Sequence, residues 1–431
     1  MTTPELAVRN VRLADRDGAW DLFVAAGRVL ELCAHDPAAA PEARTLDGRG
    51  LLLLPGLTDA HAHLREPGQE WKEDIASGLA AAAAGGFVNV MCMANTSPVN
   101  DNASITKHML RRAEAVWPKG PRLFPIGALT IGLAGRELAP MAELRQAGCV
   151  AFSNDGEPVA DTEIFRRALE YAADLGPVID HCEDPYMAKG SGANEGALSA
   201  RLGLRGQPDV AEALQVARDI LLAEYLGAPV HLAHVSCRRS VELIADAKRR
   251  GASVTAETCP HYLLMTEDAL FGYDTMAKVN PPLRTDDDRL TLIEALRTGV
   301  IDILATDHAP HATHEKETPF EEAKNGISGL DTALASLWSL VRQGSLTASD
   351  IVERLAWRPA AIFNLPVNRF APGDPADFLL FDPEESWVVT PEALRSKGKN
   401  TPLLGQSLTG RVMLTAVNGQ IVHALDPAAG A

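Results

Sequence analysis

The chain has 431 residues, 46% of them hydrophobic and 23% charged, and a formal net charge of −17. That length and composition fit a globular protein with one large domain and a smaller one, and so acidic a balance argues against nucleic-acid binding, which needs a basic footprint. No apolar stretch approaches a membrane span, and the opening "MTTPELAVRN" lacks the basic and apolar regions of a signal peptide.

Residues 1–55 read as short strands, "ELAVRNVRLA", "WDLFVAAGRVLEL" and "RTLDGRGLLLLPG", punctuated by Gly and Asp. From Gly56 the pattern changes. Strand-like runs begin at Gly56, Phe87, Arg122, Cys149, Pro177, Pro229, Ser253 and Ile301. Between most of them lie Ala- and Leu-rich amphipathic stretches, for example Thr162–Ala173 and Val210–Leu226. The run Ala80–Ala84 also reads as helix. Eight strand–helix units in this length predict an α/β fold, a (β/α)8 barrel; an open doubly wound sheet is the alternative and usually has fewer strands. After residue 365, "ADFLLFDP" and "RVMLTAVNGQIVHAL" return to strands. These and the N-terminal strands are expected to pair as a small β-sandwich, giving domains at 1–55 and 366–431 around a barrel at 56–365. The six cysteines form no C-x-x-C pair and sit mostly in apolar runs, as reduced residues of a cytoplasmic protein do.

In such a barrel the chemistry gathers at the C-terminal ends of the strands. The first run ends in His61, His63 and Arg65, and two residues apart on a strand means one face. Arg65 continues that line if the chain stays extended. The second run leads to Asn95, the fourth to Asp155, the fifth to His181, the sixth to His234 and the eighth to Asp307, with His308 and His311 just after. Each histidine alone reads as an ordinary polar residue. Four histidines and two aspartates converging on one mouth read as ligands for divalent metal, with nitrogen and oxygen donors and no thiolate. Six ligands exceed one open tetrahedral site and fit two metals sharing a carboxylate. His308 reads as facing away, His231 as core or a support for the ligands, and His261 as structural. The polar stretch His311–Glu322 reads as a mobile loop over the mouth, or else as solvated surface.

The segments "DAHAHLREPG", "MANTSPVND", "HCED", "LAHVS", "ETCPHYL", "NPPLR" and "ATDHAPH" together resemble the class I dihydroorotases of the amidohydrolase superfamily, from about residue 5 to 425. The resemblance implies a barrel with two zinc ions per subunit, bridged by Asp155 and a water or hydroxide. It assigns His61, His63 and Asp307 to one zinc and His181 and His234 to the other. It makes Asp307 the catalytic base and acid, and His63, Arg65, Asn95, Asn280, His311, Asn325 and Gly326 the substrate contacts. The implied reaction is the reversible cyclisation of N-carbamoyl-L-aspartate to (S)-dihydroorotate in pyrimidine synthesis. A homo-oligomer and an association with aspartate carbamoyltransferase are implied partners. The chain departs from the family pattern at Ala94, Asn154 and Asn325, and the fourth strand run carries no lysine of the kind that bridges metals in hydantoinases. Two further readings stay open: a hydantoinase- or allantoinase-type cyclic amidase, and an inactive homologue serving as a scaffold for the transferase.

Overall fold

The computed structural model describes residues 3–39 and 41–425. Residues 1–2, 40 and 426–431, which the sequence assigns to the two parts of the sandwich, lie outside the described residues. Eight strands follow one another around a single parallel sheet: β1 (Leu57–Ala62), β2 (Phe87–Cys92), β3 (Arg122–Ala128), β4 (Ala151–Ser153), β5 (Val178–Asp180), β6 (Val230–Leu232), β7 (Val254–Thr258) and β8 (Ile303–Leu304). The sheet closes where Ala62 bridges to His308 and the His63 amide donates to the His308 carbonyl at 2.8 Å. All eight strand-like runs of the sequence are strands here, in chain order and parallel, as a (β/α)8 barrel requires.

Alternation along the strands divides the core in two. Ala60, Met91, Ile126, Ala151, Ile179 and Ile303 fill the barrel, and Phe363 and Leu365 pack against them. Leu57, Val90, Phe152, Val178, Val230 and Leu304 face outward into the larger core shared with the helices. The helices start and stop where local chemistry dictates. Asp74 accepts from the Ser77 amide to open Ile75–Gly85, and Gly86 ends it at φ 86°. That helix contains the whole alanine run. Thr285 caps Asp286–Thr298, whose first turn carries three aspartates against the positive end of the helix dipole.

The two ends of the chain build two four-stranded sheets. One runs Arg28–Ala34, Trp20–Ala25, Leu6–Val11, Arg44–Asp47 and is entirely N-terminal. The other runs Gln420–Ala424, Ser407–Val417, Phe378–Val388, Leu52–Pro55, so one N-terminal strand completes a C-terminal sheet. Val8, Leu22, Leu53, Phe378 and Leu414 form the apolar layer between them. Arg122 at the foot of β3 makes a bidentate pair with Asp377, at 2.7 and 3.1 Å, and so ties barrel to sandwich. All six cysteines are unpaired.

Candidate metal centre and substrate cleft

Asp155, two residues beyond β4, stands at the middle of the barrel mouth. Its Oδ1 lies 3.3 Å from His61 Nε2, 3.3 Å from His234 Nε2 and 3.5 Å from His181 Nδ1, and its Oδ2 is 3.5 Å from His63 Nε2. Asp307, beyond β8, reaches His63 Nε2 at 3.2 Å and His61 Nε2 at 3.6 Å. All six side chains are buried. The structure therefore brings together every histidine and aspartate that the strand-end reading grouped.

The far nitrogens are held from behind. His61 Nδ1–H donates to Glu257 Oε1 at 2.7 Å and His63 Nδ1–H to Asn95 Oδ1 at 2.9 Å, which turns both Nε2 lone pairs to the centre. His181 Nε2 faces Asn280 Nδ2 at 3.3 Å and Glu183 Oε2 at 3.5 Å. His61 Nε2 is buried, 3.3 Å from a carboxylate oxygen, and makes no hydrogen bond. An acceptor nitrogen orphaned among carboxylates is what a cation would satisfy. Donor atoms of His61, His63 and Asp307, and of His61, Asp155 and His234, lie within 4.8 Å of one another in each group. The set is nitrogen and oxygen only, so the residues fit a divalent ion of the zinc kind.

Electrostatics agree with a cation site. Burial alone would raise the carboxyl of Asp307, but the imidazoles of His63, 3.2 Å away, and of His61 outweigh that and hold it at about 2. Asp155 is likewise held well below its usual range against burial, by the imidazoles of His61, His181 and His234 around it. Burial lowers His63, while Asp155 with Glu257 raises His61 and Asp155 with Glu183 raises His181 to about 10, so the cluster favours positive charge at its centre, the place a bound cation takes. Three of the clustered residues, Arg65 (φ 61°), His234 (φ 33°) and Asp307 (φ 45°), have left-handed backbone, a strained state that the surrounding structure must enforce.

Beside this centre lies a cleft of about 250 Å³ whose lining includes Arg65, Asn95, Asn280, His311, Asn325 and Gly326, each predicted from sequence. Arg65 does not extend the β1 line: the strand ends at Ala62, and the φ of 61° at Arg65 turns the chain so that its Nε donates to the Pro310 carbonyl at 3.2 Å. His311 Nε2–H donates to the Asn325 carbonyl at 2.8 Å. Burial and the nearby charges of Arg65 and Lys72 push His311 down to about 2, so it is neutral. Gly326 has a φ of 140°, and a Cβ there would meet Ala309 Cβ at 2.6 Å, so only glycine fits.

Several other expectations receive a location. His308 turns away to Glu73, 3.3 Å from Nε2, while its Nδ1 accepts from the Gly329 amide. His231 sits beneath the centre, bonded to Thr255 and Glu257. His261 is buried close to Cys259 and Asp307. Asn154 points away from the centre. Its Oδ1 accepts from the Thr130 amide at 3.0 Å, which leaves Asp155 as the inward aspartate. The stretch His311–Glu322, expected as a mobile loop over the mouth or else as solvated surface, is partly buried. It contains a helical turn, Thr313–Lys316, and buries Lys316 and Phe320. Lys316 has its ammonium bonded to carbonyls, so a lysine that reads as solvated surface is an internal anchor. Sequence reasoning missed Glu257, Glu183 and Lys324 as parts of the site. For Glu257 a signal existed: an acid inside the otherwise uncharged run "SVTAETC" must be paired if that run is a buried strand.

A closed parallel barrel whose strand ends converge four imidazoles and two carboxylates defines the amidohydrolase class of enzyme. A family model described as dihydro-orotase-like matches residues 50–240. The chain is 47% identical to a dihydroorotase of Syntrophus aciditrophicus (strain SB) over 95% of its length and 96% of the relative's. It is 48% identical to one of Geotalea daltonii, again over 95% and 96%. Among solved structures, an L-hydantoinase from Arthrobacter aurescens superposes with a TM-score of 0.86 at 25% identity, covering 98% of this chain and 96% of that one. The chain belongs to the dihydroorotase family.

Proposed function

We propose that this enzyme interconverts N-carbamoyl-L-aspartate and (S)-dihydroorotate as a class I dihydroorotase, using two zinc ions bridged by Asp155 and a water. The observation that carries the substrate is Arg65, a buried guanidinium in the cleft beside the carboxylate and imidazole centre. Both substrate forms carry a carboxylate on the carbon that bears the amide nitrogen, and a planar, permanently charged donor suits it bidentately. The likeness to dihydroorotases over nearly the whole chain supports the same reading.

When bound, divalent ions polarise the amide carbonyl and make water acidic enough to attack near neutral pH. His61, His63 and Asp307 would hold one ion, His181 and His234 the other, and Asp155 both. Asp307 accepts the proton of the attacking water and returns it to the leaving ring nitrogen. Arg65, Asn95, Asn280, Asn325 and Gly326 position the ring. His311, its Nε2–H committed to the Asn325 carbonyl, joins them from the cleft lining. β4 lacks a lysine, which supports an aspartate bridge over a carboxylated lysine.

On this reading the barrel spans 56–365, with sandwich segments at 1–55 and 366–431. The enzyme is a cytoplasmic homo-oligomer, with aspartate carbamoyltransferase as the partner to test by co-purification. Among the described residues no helix is long and apolar enough to cross a membrane. The test is one preparation assayed for metal content and for turnover of dihydroorotate, hydantoin and allantoin. Dihydroorotate is expected to be the preferred substrate by orders of magnitude. Preference for hydantoin or allantoin would overturn the assignment.

A further inference from the structure

Lys278 and Lys316 do not line the cleft, and both are buried. Lys278 Nζ donates to the carbonyls of Phe320, Ala323 and Glu321 at 2.7, 2.8 and 3.2 Å. An ammonium has three N–H bonds, and here three carbonyls of one turn receive them. Lys316 Nζ crosses the other way, to the carbonyls of Lys324 at 2.7 Å and Lys278 at 3.3 Å. The backbone joins the same knot: the Gly326 amide donates to the Lys278 carbonyl at 2.9 Å, and the Lys324 amide to Glu315 at 3.1 Å. Thr275 Oγ1 donates to the Lys316 carbonyl at 2.7 Å.

Burying two ammonium groups is costly unless every proton finds an acceptor. Four of the five acceptors, the carbonyls of Phe320, Glu321, Ala323 and Lys324, belong to one segment, which has no regular structure between residues 317 and 325. Gly326 is also held by its amide on the Lys278 carbonyl and by Asn400 Nδ2 on its own carbonyl at 2.9 Å, while the lysine ammoniums fix the carbonyls of residues 320–324 that lead into Asn325. The Asn325 carbonyl in turn receives His311 Nε2–H, so the position of that carbonyl also sets the tautomer of His311.

We propose that Lys278 and Lys316 are positioning residues for substrate: a two-lysine clamp that sets the 317–326 backbone and, through it, Asn325, Gly326 and His311. The inference rests on the reading that those three groups contact the substrate. It adds two residues outside the cleft that act on binding and leave the metal centre alone.

The test uses the metal-loaded enzyme with Lys278→Met and Lys316→Met, and Thr275→Ala as a milder variant that removes a single bond of the clamp. Three quantities are read: kcat and KM for dihydroorotate, metal content, and amide hydrogen exchange. Misplacing a contact by about 1 Å can cost about a hundredfold, so KM should rise about ten- to a hundredfold in the lysine variants and less in Thr275→Ala. Metal content and kcat should hold near wild type, and faster exchange should be confined to residues 312–326. Unchanged KM in a variant whose segment exchanges faster overturns the proposal, and so does unchanged exchange. A parallel loss of kcat, metal and thermal stability would mark the lysines as merely structural. If wild-type enzyme fails on dihydroorotate, the substrate reading falls, and the clamp is judged by exchange and by KM for the cyclic amide that is turned over.

Discussion

His61 Nδ1 lies 2.7 Å from Glu257 Oε1, and the other oxygen of Glu257 lies 3.2 Å from His231 Nε2. One buried carboxylate thus aligns the imidazole nearest the centre and is itself held from below. Glu257 is kept ionised, down from its ordinary value, by His61 and His231 against the effect of burial. Glu257→Gln keeps the shape and an acceptor but loses the charge. Partners of this kind typically contribute 10- to 100-fold in metal affinity, so about that loss is expected in a competitive chelator titration. An affinity equal to wild type would mean that His61 needs no such support.

Asp307→Asn should fold and retain most of its metal but lose turnover. An amide cannot accept the proton, and removing a general base typically costs ~10²–10⁴-fold in kcat. Metal analysis must accompany the assay, because Asp307 also touches His61 and His63. Near-wild-type turnover in a metal-replete variant removes the proton-transfer role from this residue.

Stripping the enzyme with a chelator should abolish turnover, and added zinc should restore it. His181→Ala and His234→Ala should then each lower the bound metal by roughly one equivalent, through the same ion, on the two-metal reading. His61→Ala should weaken the other, with Asp155 touched by all four imidazoles in the intact site. A fully active wild-type enzyme that never holds more than one ion would rule the binuclear scheme out.

The barrel was legible because its signals are local: alternating apolar runs, helix caps and a polar residue at each strand end. His61, Asp155, His181, His234 and Asp307 each close such a run, and topology alone brings them together. What sequence could not show is direction after a strand stops. Arg65 reaches the cleft only because its left-handed backbone turns the chain. Lys278 and Lys316 look like surface lysines, and only the long-range meeting of residues 275–278 with 315–326 reveals where their protons go. Asp155 reads as the inward residue from sequence; what sequence did not show is that Thr130 of a neighbouring loop turns Asn154 away.

Lys316 makes stability depend on pH. Burial, with the charge of Lys278 beside it, lowers its pKa from an ordinary 10.5 to about 7, against the pull of Asp274. Below pH 7 both folded and unfolded chains carry the proton, and the cost of burying the charge is at its greatest. Between 7 and 10.5 the unfolded chain binds a proton that the folded one lacks, so this residue makes stability rise with pH. Lys316→Met removes the effect. Unfolding measured from pH 6.5 upward should show wild type gaining on the variant, by at most about 1.4 kcal/mol per unit. A constant difference across that range would show that Lys316 keeps its ordinary pKa.

Arg65→Met addresses the substrate most directly. A desolvated, charge-assisted bidentate contact to a carboxylate contributes on the order of 2–5 kcal/mol, which would appear in kcat/KM for dihydroorotate and carbamoyl-aspartate. Dihydrouracil is the same ring without the acid group, so its turnover should change little, provided wild-type enzyme handles it measurably. Arg65 also donates to the Pro310 carbonyl, next to His311, and methionine loses that bond as well. A loss common to both rings therefore measures disturbance of the loop, and the excess loss on dihydroorotate measures the carboxylate contact. Equal losses on the two substrates would reduce Arg65 to a brace for the loop. The case for an acidic substrate would then rest on likeness to dihydroorotases alone.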